Sequence, residues 1–289
     1  ATGLAPPSPT PTPLNPDNAV IPQSAFIGDL QAVTIWKVSA AGALVFTNTL
    51  PTSSVLFPTA IAVDKNGASV VGMIANDKGN AGFLANTDAT GVFSKLLKIG
   101  VASTTADAVV RHGDGSFTVT GSSSETLVGK KVAGITDGIL VKVSKSLKIT
   151  SVVRSSVAKG KRIWNSASNS LLLAGQVIVG NNIQTAVTKF SSTYVPTWTA
   201  RFTSTGYALV NSSNQLFFQS MGPIPQLAWN AMTPTPLLLT FDSKGVITAA
   251  HSAPPGQVEL MSLVDSKELG VLALIWSAES ASIFTPVTR

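Results

Sequence analysis

The sequence repeats itself with a period of about 50 residues, and this repetition restricts the possible folds more than any other feature. Five windows align without gaps from Ala32, Ala81, Asp137, Gln184 and Thr235, so that their starts lie 49, 56, 47 and 51 residues apart. Each window contains two short segments rich in Val, Leu, Ile, Phe and Thr around a polar turn, which is the pattern of two antiparallel strands. The sequence therefore predicts a fold built from repeated hairpins.

The turns of these windows share two positions. The eighth position is Ser or Asp, whose side chain can bond the backbone two residues further on; its residues are Ser39, Asp88, Ser144, Ser191 and Asp242. The eleventh position supplies a positive φ where it is Gly; its residues are Gly42, Gly91, Leu147, Tyr194 and Gly245. Because Leu147 and Tyr194 are not glycine, we expect their turns to differ from the other three.

A second set of hairpins lies between the windows, beginning near Thr59, Asp107, Arg162, Tyr207 and Val258. Two hairpins per repeat give four strands, and a four-stranded repeat of this length without a helical pattern is typical of a β-propeller blade. The chain begins with one half of a repeat and ends with the other half. We therefore predict an all-β chain forming a single β-propeller of five blades, closed by pairing N- and C-terminal strands. A ring of six blades is the alternative, but it needs a further pair of inner strands that the sequence does not contain.

The first part of the chain has a different composition. Residues 1–22 contain seven prolines alternating with Ser and Thr, which indicates an extended, semi-rigid segment. We therefore divide the chain into a Pro/Thr-rich tether over residues 1–23 and a propeller domain over residues 24–289. The composition favours an exported protein located outside the cell or on its surface, and we expect the tether to dock on its own propeller or on a neighbouring chain. The most apolar run, Leu269–Trp276, is too short to span a membrane.

Three segments carry a resemblance to a known family: TAIAVDKNGASVVG from Thr59, GFLANTDATG from Gly82, and DAVVRHGDGSFTVTG from Asp107. They resemble the repeats of secreted bacterial β-propellers with SBBP-like repeats. The resemblance extends from Ala32 to Thr288, is closest in the first two repeats, and implies a propeller fold in an extracellular setting. The motif consists of turn and core positions, so it implies no catalytic residues.

The positive charge is unevenly distributed. The formal net charge is +6, and nine of the twenty Lys and Arg residues lie between Lys130 and Arg162, where Asp137 is the only acid. One interpretation is a patch for an anionic polymer such as teichoic acid or an acidic polysaccharide, formed by Lys130, Lys131, Lys159, Lys161 and Arg162. The other interpretation is a solvated sheet edge, where Lys discourages strand pairing. Nucleic acid is disfavoured because no aromatic residues alternate with the basic ones.

Motifs for catalysis and for metal or cofactor binding are scarce. The chain has two histidines and no cysteine, and it lacks phosphate-binding glycine loops and a nucleophile elbow, so we predict no metal site and no cofactor. The strongest catalytic candidates are Asp107 and Glu259, which precede strands that could face a central funnel. Two carboxyl groups in unlike surroundings could perform glycoside hydrolysis. The alternative is that both are loop-capping residues.

One long loop, Gly222–Pro236, interrupts the repeat pattern with the apolar residues Ile224, Leu227, Trp229 and Met232. An apolar loop on a polar scaffold can be a contact surface, or it can fold back over its own sheet. We therefore predict an interaction or assembly module that binds a protein, its own copies or an envelope polymer. A carbohydrate-active hydrolase is the alternative function.

Overall fold

The computed structural model describes residues 30–253, 259–277 and 280–285. Over these residues the chain forms twenty β-strands and no helix, which confirms the predicted all-β class. The predicted tether lies outside the described residues, and so does the prediction that it docks. In the described part of the chain, no helix has the length and apolar character needed to cross a membrane. The chain divides into two compact units, residues 1–106 and 107–289.

The first unit contains two antiparallel sheets. A two-stranded sheet is formed by β1 (Ala32–Val38) and β2 (Leu44–Pro51). A four-stranded meander in chain order follows, made of β3 (Leu56–Asp64), β4 (Gly67–Asn76), β5 (Gly79–Asn86) and β6 (Leu97–Ile99). Alternate residues of β1 point to one face of the sheet, so Val33 and Ile35 pack together against Val70 and Phe83.

The second unit contains three sheets, all antiparallel and in chain order. The first begins with β7 (Thr104–Arg111), which crosses the boundary between the units, and continues through β8 (Phe117–Ser123), β9 (Asp137–Val143) and β10 (Ile149–Ser155). The second has seven strands: β11 (Lys161–Ala167), β12 (Leu172–Val179), β13 (Asn182–Phe190), β14 (Pro196–Val210), β15 (Gln215–Ser220), β16 (Thr235–Phe241) and β17 (Ile247–Ser252). The third consists of β18 (Glu259–Ser266), β19 (Gly270–Trp276) and β20 (Ala281–Phe284).

The seven-stranded sheet is two meanders that share strand β14. The first part of β14 pairs with β13 as far as Thr203, and the part from Ser204 onwards pairs with β15. The pairing with β15 is irregular between Ser204 and Ala208, where Gly206 has a φ of 109° and a Cβ atom would come within 2.9 Å of the Ile183 side chain. The chain therefore contains four consecutive four-stranded meanders, flanked by the small sheets β1–β2 and β18–β20. This agrees with the predicted four-strand repeat, while the closure of a ring and the number of blades stay predictions.

All five aligned turns have the same conformation. The eleventh residue has a positive φ in each window, between 56° and 85°, and this includes Leu147 and Tyr194. The expectation that these two turns differ is therefore wrong. The reason lies in the eighth residue: the Ser144 Oγ accepts the amide of Lys148 at 3.2 Å, and the Ser191 Oγ likewise accepts the following turn amide at 3.2 Å. These bonds offset the steric cost of about 1–2 kcal/mol that a side chain pays in the left-handed region.

The core of the second unit lies between its sheets. Trp164 of β11 is fully buried and packs edge-on against Phe190, with their ring centroids 5.8 Å apart. Trp198 packs partly buried on the ring of Phe241. By contrast, Trp36 and Trp276 are 41% and 52% exposed. Aromatic packing between strands of the seven-stranded sheet therefore helps to fix β11, the strand that carries Lys161 and Arg162.

Candidate functional site

The loop between β8 and β9 carries Lys130 and Lys131, and a single arginine holds it in place. Arg154 of β10 donates from Nε to the Lys130 carbonyl at 3.1 Å and from Nη1 to the Ser123 carbonyl at 3.2 Å. Its Nη2 donates to the carbonyl of Glu125. Because one guanidinium joins two loop carbonyls to the last carbonyl of β8, the loop has a defined backbone position relative to the sheet.

Asp137, the first residue of β9, completes this anchor. Its carboxylate accepts the amides of Ala133 and Gly134 at 2.9 Å each and forms an ion pair with Arg154 at 3.4 Å. The side chains of Asp137 and Arg154 are only 0% and 8% exposed. Burial opposes ionisation, but the hydrogen bonds from Ala133, Gly134 and Ser156, together with the charge of Arg154, lower the pKa of Asp137 below its usual value. Asp137 is therefore a charged structural anchor at neutral pH.

A second basic segment lies directly beside this loop. The amide of Ile135 donates to the carbonyl of Gly160 at 2.8 Å, and Thr136 forms a parallel bridge with Lys161. Gly160 itself packs closely on β12, since a Cβ atom there would come within 2.7 Å of the Ile178 carbonyl oxygen. The two segments present four exposed lysines, which we call the lysine cluster: Lys130, Lys131, Lys159 and Lys161.

Arg162 does not belong to this surface, and its predicted place in the basic patch is wrong. Successive residues of a strand point to opposite faces, so Lys161 faces solvent and Arg162 faces the interior. Arg162 is 3% exposed, and its guanidinium carbon lies 3.7 Å from the ring centroid of Trp164. Burial, together with the positive charge of Arg201, lowers the pKa of Arg162 to about 9.

The loop Gly222–Pro236 folds back over its own unit. Ile224 is 2% exposed, and Leu227 and Trp229 pack partly buried against the core. The indole Nε1 of Trp229 donates to the Ser220 Oγ at 3.1 Å. Met232, at 83% exposed, is the only one of the four predicted binding residues that faces solvent fully. The prediction of an exposed apolar surface is therefore wrong for Ile224, because the loop satisfies its apolar side chains internally.

The two predicted catalytic carboxylates lie near one tyrosine. Glu259 is exposed and lines a cleft of about 370 Å³ together with Thr205, Tyr207, Gln219, Leu260 and Met261. Burial raises the pKa of Tyr207, a hydrogen bond with Asn165 opposes this, and the charge of Asp107 raises it further. Asp107 therefore lies close enough to act on Tyr207 electrostatically, while Glu259 shares the cleft with the same tyrosine.

A second cleft was not predicted from the sequence. It has a volume of about 410 Å³, and its polar lining includes His112, Asp114, Lys142 and Tyr194. The Thr118 Oγ1 bonds the His112 Nε2 at 2.7 Å and the Tyr194 hydroxyl at 2.6 Å. Burial and the charge of Lys142 lower the pKa of His112 despite the opposing charge of Asp114, so the imidazole is neutral at neutral pH. The sequence gives no signal for this cleft, because the His112 turn belongs to the second set of hairpins and the Tyr194 turn to the aligned windows.

In the described ranges, no three His, Asp or Glu residues come together in a group that could hold a metal ion. Comparison of the chain with models of known protein families and with curated proteins gives no match. The function is therefore argued from the residues and the geometry.

Proposed function

We propose that this chain is a non-enzymatic, exported β-propeller that binds an anionic polymer of the cell envelope through the lysine cluster. One observation carries the proposal: the two segments that present the four lysines are joined by backbone hydrogen bonds, and the buried pair of Arg154 and Asp137 anchors one of them. A sheet edge that merely needs solubility requires no such anchor.

The exposure of the lysines favours a polymer over a small anion. The four ammonium groups belong to surface residues on two neighbouring segments, so an extended chain of negative charges can contact several of them at once. Each contact alone is weak in water and is screened beyond about 8 Å at physiological salt. Because the backbone of the loop is already fixed, binding orders only the lysine side chains, which lowers the entropic cost.

Contacts between the first strands of successive meanders support the propeller. The Thr59 Oγ1 donates to the Ala106 carbonyl at 2.7 Å, which links β3 to β7. The Asn165 Nδ2 donates to the Ala208 carbonyl at 2.5 Å, which links β11 to β14. Asn211, directly after β14, donates to the Asp265 carboxylate of β18 at 2.8 Å. Contacts between first strands are the arrangement expected around the centre of a propeller, and the five first strands β3, β7, β11, β14 and β18 would give five blades.

Polymer binding is tested with two double variants of equal charge. Lys130→Gln/Lys131→Gln removes two lysines of the cluster, and Lys244→Gln/Lys267→Gln removes two exposed lysines elsewhere. The probe is a defined poly(glycerol phosphate), with polygalacturonate as a carboxylate polymer, and the assay is calorimetry at physiological salt. We expect about a tenfold loss of affinity for the first variant, corresponding to about 0.7 kcal/mol per lysine, and less than a twofold loss for the second. Equal losses would show that net charge alone attracts the polymer, and absence of binding by the unaltered chain would refute the proposal.

Ring closure has a separate test. A chain ending at Ala253 lacks β18–β20, the sheet that we propose to complete a blade with β1–β2. Hydrogen exchange should then accelerate in β1 and β2 while the amides of β7–β10 keep their protection. Unchanged exchange in β1 and β2 would mean that β18–β20 does not close the ring through them.

A glycoside hydrolase is the second candidate, favoured by the cleft that Glu259 shares with Tyr207. Glu259→Gln and Asp107→Asn are compared with the unaltered chain for the release of reducing sugar from acidic and neutral polysaccharides. Under the binding proposal we expect no release from any of the three proteins. Release by the unaltered chain that both variants lose would establish the hydrolase instead.

A further inference from the structure

The interior face of the sheet formed by β11 to β14 contains an incompletely satisfied positive charge. The Nη2 of Arg162 donates to the Thr188 Oγ1 at 3.3 Å, a long bond for a charged donor. The Thr188 Oγ1 is bonded in turn to the Thr199 Oγ1 at 2.9 Å. Thr199 and Arg201 lie two residues apart on β14, so their side chains share the face toward which Arg162 extends.

The remaining donors at this place have no acceptor among the described residues. They are the Nε and Nη1 of Arg162 and the indole Nε1 of Trp164, all fully buried. The neighbouring charge that acts on Arg162 is that of Arg201, which is also positive. With its pKa at about 9, Arg162 remains protonated at neutral pH despite its burial.

The electrostatic balance of this arrangement is unfavourable without a further group. Transfer of a guanidinium from water to a protein interior costs several kcal/mol. The guanidinium stacks on Trp164, with 3.7 Å from its carbon to the ring centroid, and this contact stabilises the charge by only about 2 kcal/mol. A buried cation needs either an acid or a bound anion, and Asp137, the buried aspartate of β9, is already paired with Arg154.

We propose that a small inorganic anion, with chloride as the type, binds between the sheets at the free donors of Arg162, next to the Thr188 hydroxyl. The size follows from the burial: Trp164 is fully buried and Arg162 almost so, which leaves the site closed to a polymer. The second cation, Arg201 of β14, is exposed and adds its positive charge to the attraction for an anion at this place. This site is independent of the lysine cluster, because Lys161 and Arg162 point to opposite faces of β11.

Thermal unfolding of the full chain tests the site. Chloride is raised at constant ionic strength by replacing gluconate, which is too large to enter. A ligand that binds only the folded state raises its stability with the logarithm of concentration, so the Tm should increase by about 3 °C for each tenfold increase in chloride above Kd. Arg162→Met, which keeps the bulk and removes the charge, should abolish the increase. Lys161→Gln, the matched loss of one charge on the adjacent residue, should retain it.

Bromide replaces chloride in a second measurement that does not depend on the folding of any variant. In crystals of the unaltered chain grown with bromide, an anomalous peak within hydrogen-bonding distance of Arg162 Nε or Nη1 supports the site. The proposal is overturned if that position holds water or protein atoms, or if the Tm does not change with chloride concentration. It is also overturned if the Tm of Arg162→Met rises with chloride as much as that of the unaltered chain. Should Arg162→Met fail to fold, the bromide map and the Lys161→Gln titration decide.

Discussion

The common turn conformation makes a quantitative prediction at Gly245. This residue has a φ of 83°, and a Cβ atom added there would lie 2.6 Å from the Trp198 ring. Gly245→Ala therefore carries two costs: about 1–2 kcal/mol for a side chain in the left-handed region, and about 1–3 kcal/mol for displacing a ring that packs on Phe241. We expect a total loss of about 2–5 kcal/mol in the free energy of unfolding.

Gly115 provides the matched control in the same unit. It has the same φ of 83°, but a Cβ atom there would meet only the Lys145 side chain, with its Cδ at 3.1 Å. Because a lysine tip moves at little cost, Gly115→Ala should lose only the conformational part, about 1–2 kcal/mol. Urea denaturation followed by circular dichroism measures both changes. Equal losses in the two variants would refute the close packing of Trp198 on the Gly245 turn.

Three further predictions concern packing, backbone strain and pH. Gly138→Ala should destabilise the chain by about 1–3 kcal/mol, because its Cβ atom would lie 2.6 Å from the buried Trp164 ring. Gly113→Ala is the control: its surroundings are open, so it should change the stability by less than about 0.5 kcal/mol. Urea denaturation measures both variants. Leu147→Gly should leave the stability unchanged or raise it by up to about 1 kcal/mol. The substitution removes the backbone strain at a φ of 56°, and this gain equals or exceeds the loss from the greater conformational freedom of glycine in the unfolded chain. A lower urea midpoint would contradict this prediction. The pKa of Asp137 is lower in the folded than in the unfolded chain, so its contribution to stability is present above about pH 4 and is lost as the pH falls through the folded pKa. The difference in stability between the unaltered chain and Asp137→Asn should therefore shrink in acid. A difference that stays constant with pH would contradict this prediction.

Local features of the fold could be predicted from the sequence because short-range chemistry determines them. The strand segments follow from apolar periodicity, and the turns follow from Ser or Asp at a fixed position. The prediction for Leu147 and Tyr194 is wrong because a positive φ does not require glycine at this position. The side-chain bonds of Ser144 and Ser191 offset that cost, and they were already visible in the eighth position.

Contacts between distant segments could not be predicted in the same way. The hydrogen bond between Thr118 and Tyr194 joins residues 76 positions apart, and neither segment contains a sequence pattern that predicts this contact. The burial of Arg162 is a different case, because Lys161 and Arg162 are adjacent in a strand and must face opposite sides. Strand alternation alone therefore places these two side chains on different surfaces.

That alternation also separates the two proposals for β11 experimentally. The ammonium of Lys161 is solvated, so any salt weakens its attraction for a polymer, and sodium gluconate should act as well as sodium chloride. The guanidinium of Arg162 is shielded from bulk ions, so only an anion small enough to bind beside it can raise stability. Titration with each salt should therefore weaken polymer binding equally, while chloride alone raises the Tm. If gluconate and chloride raise the Tm by the same amount, the stabilisation arises from general screening of the positive net charge and needs no site at Arg162.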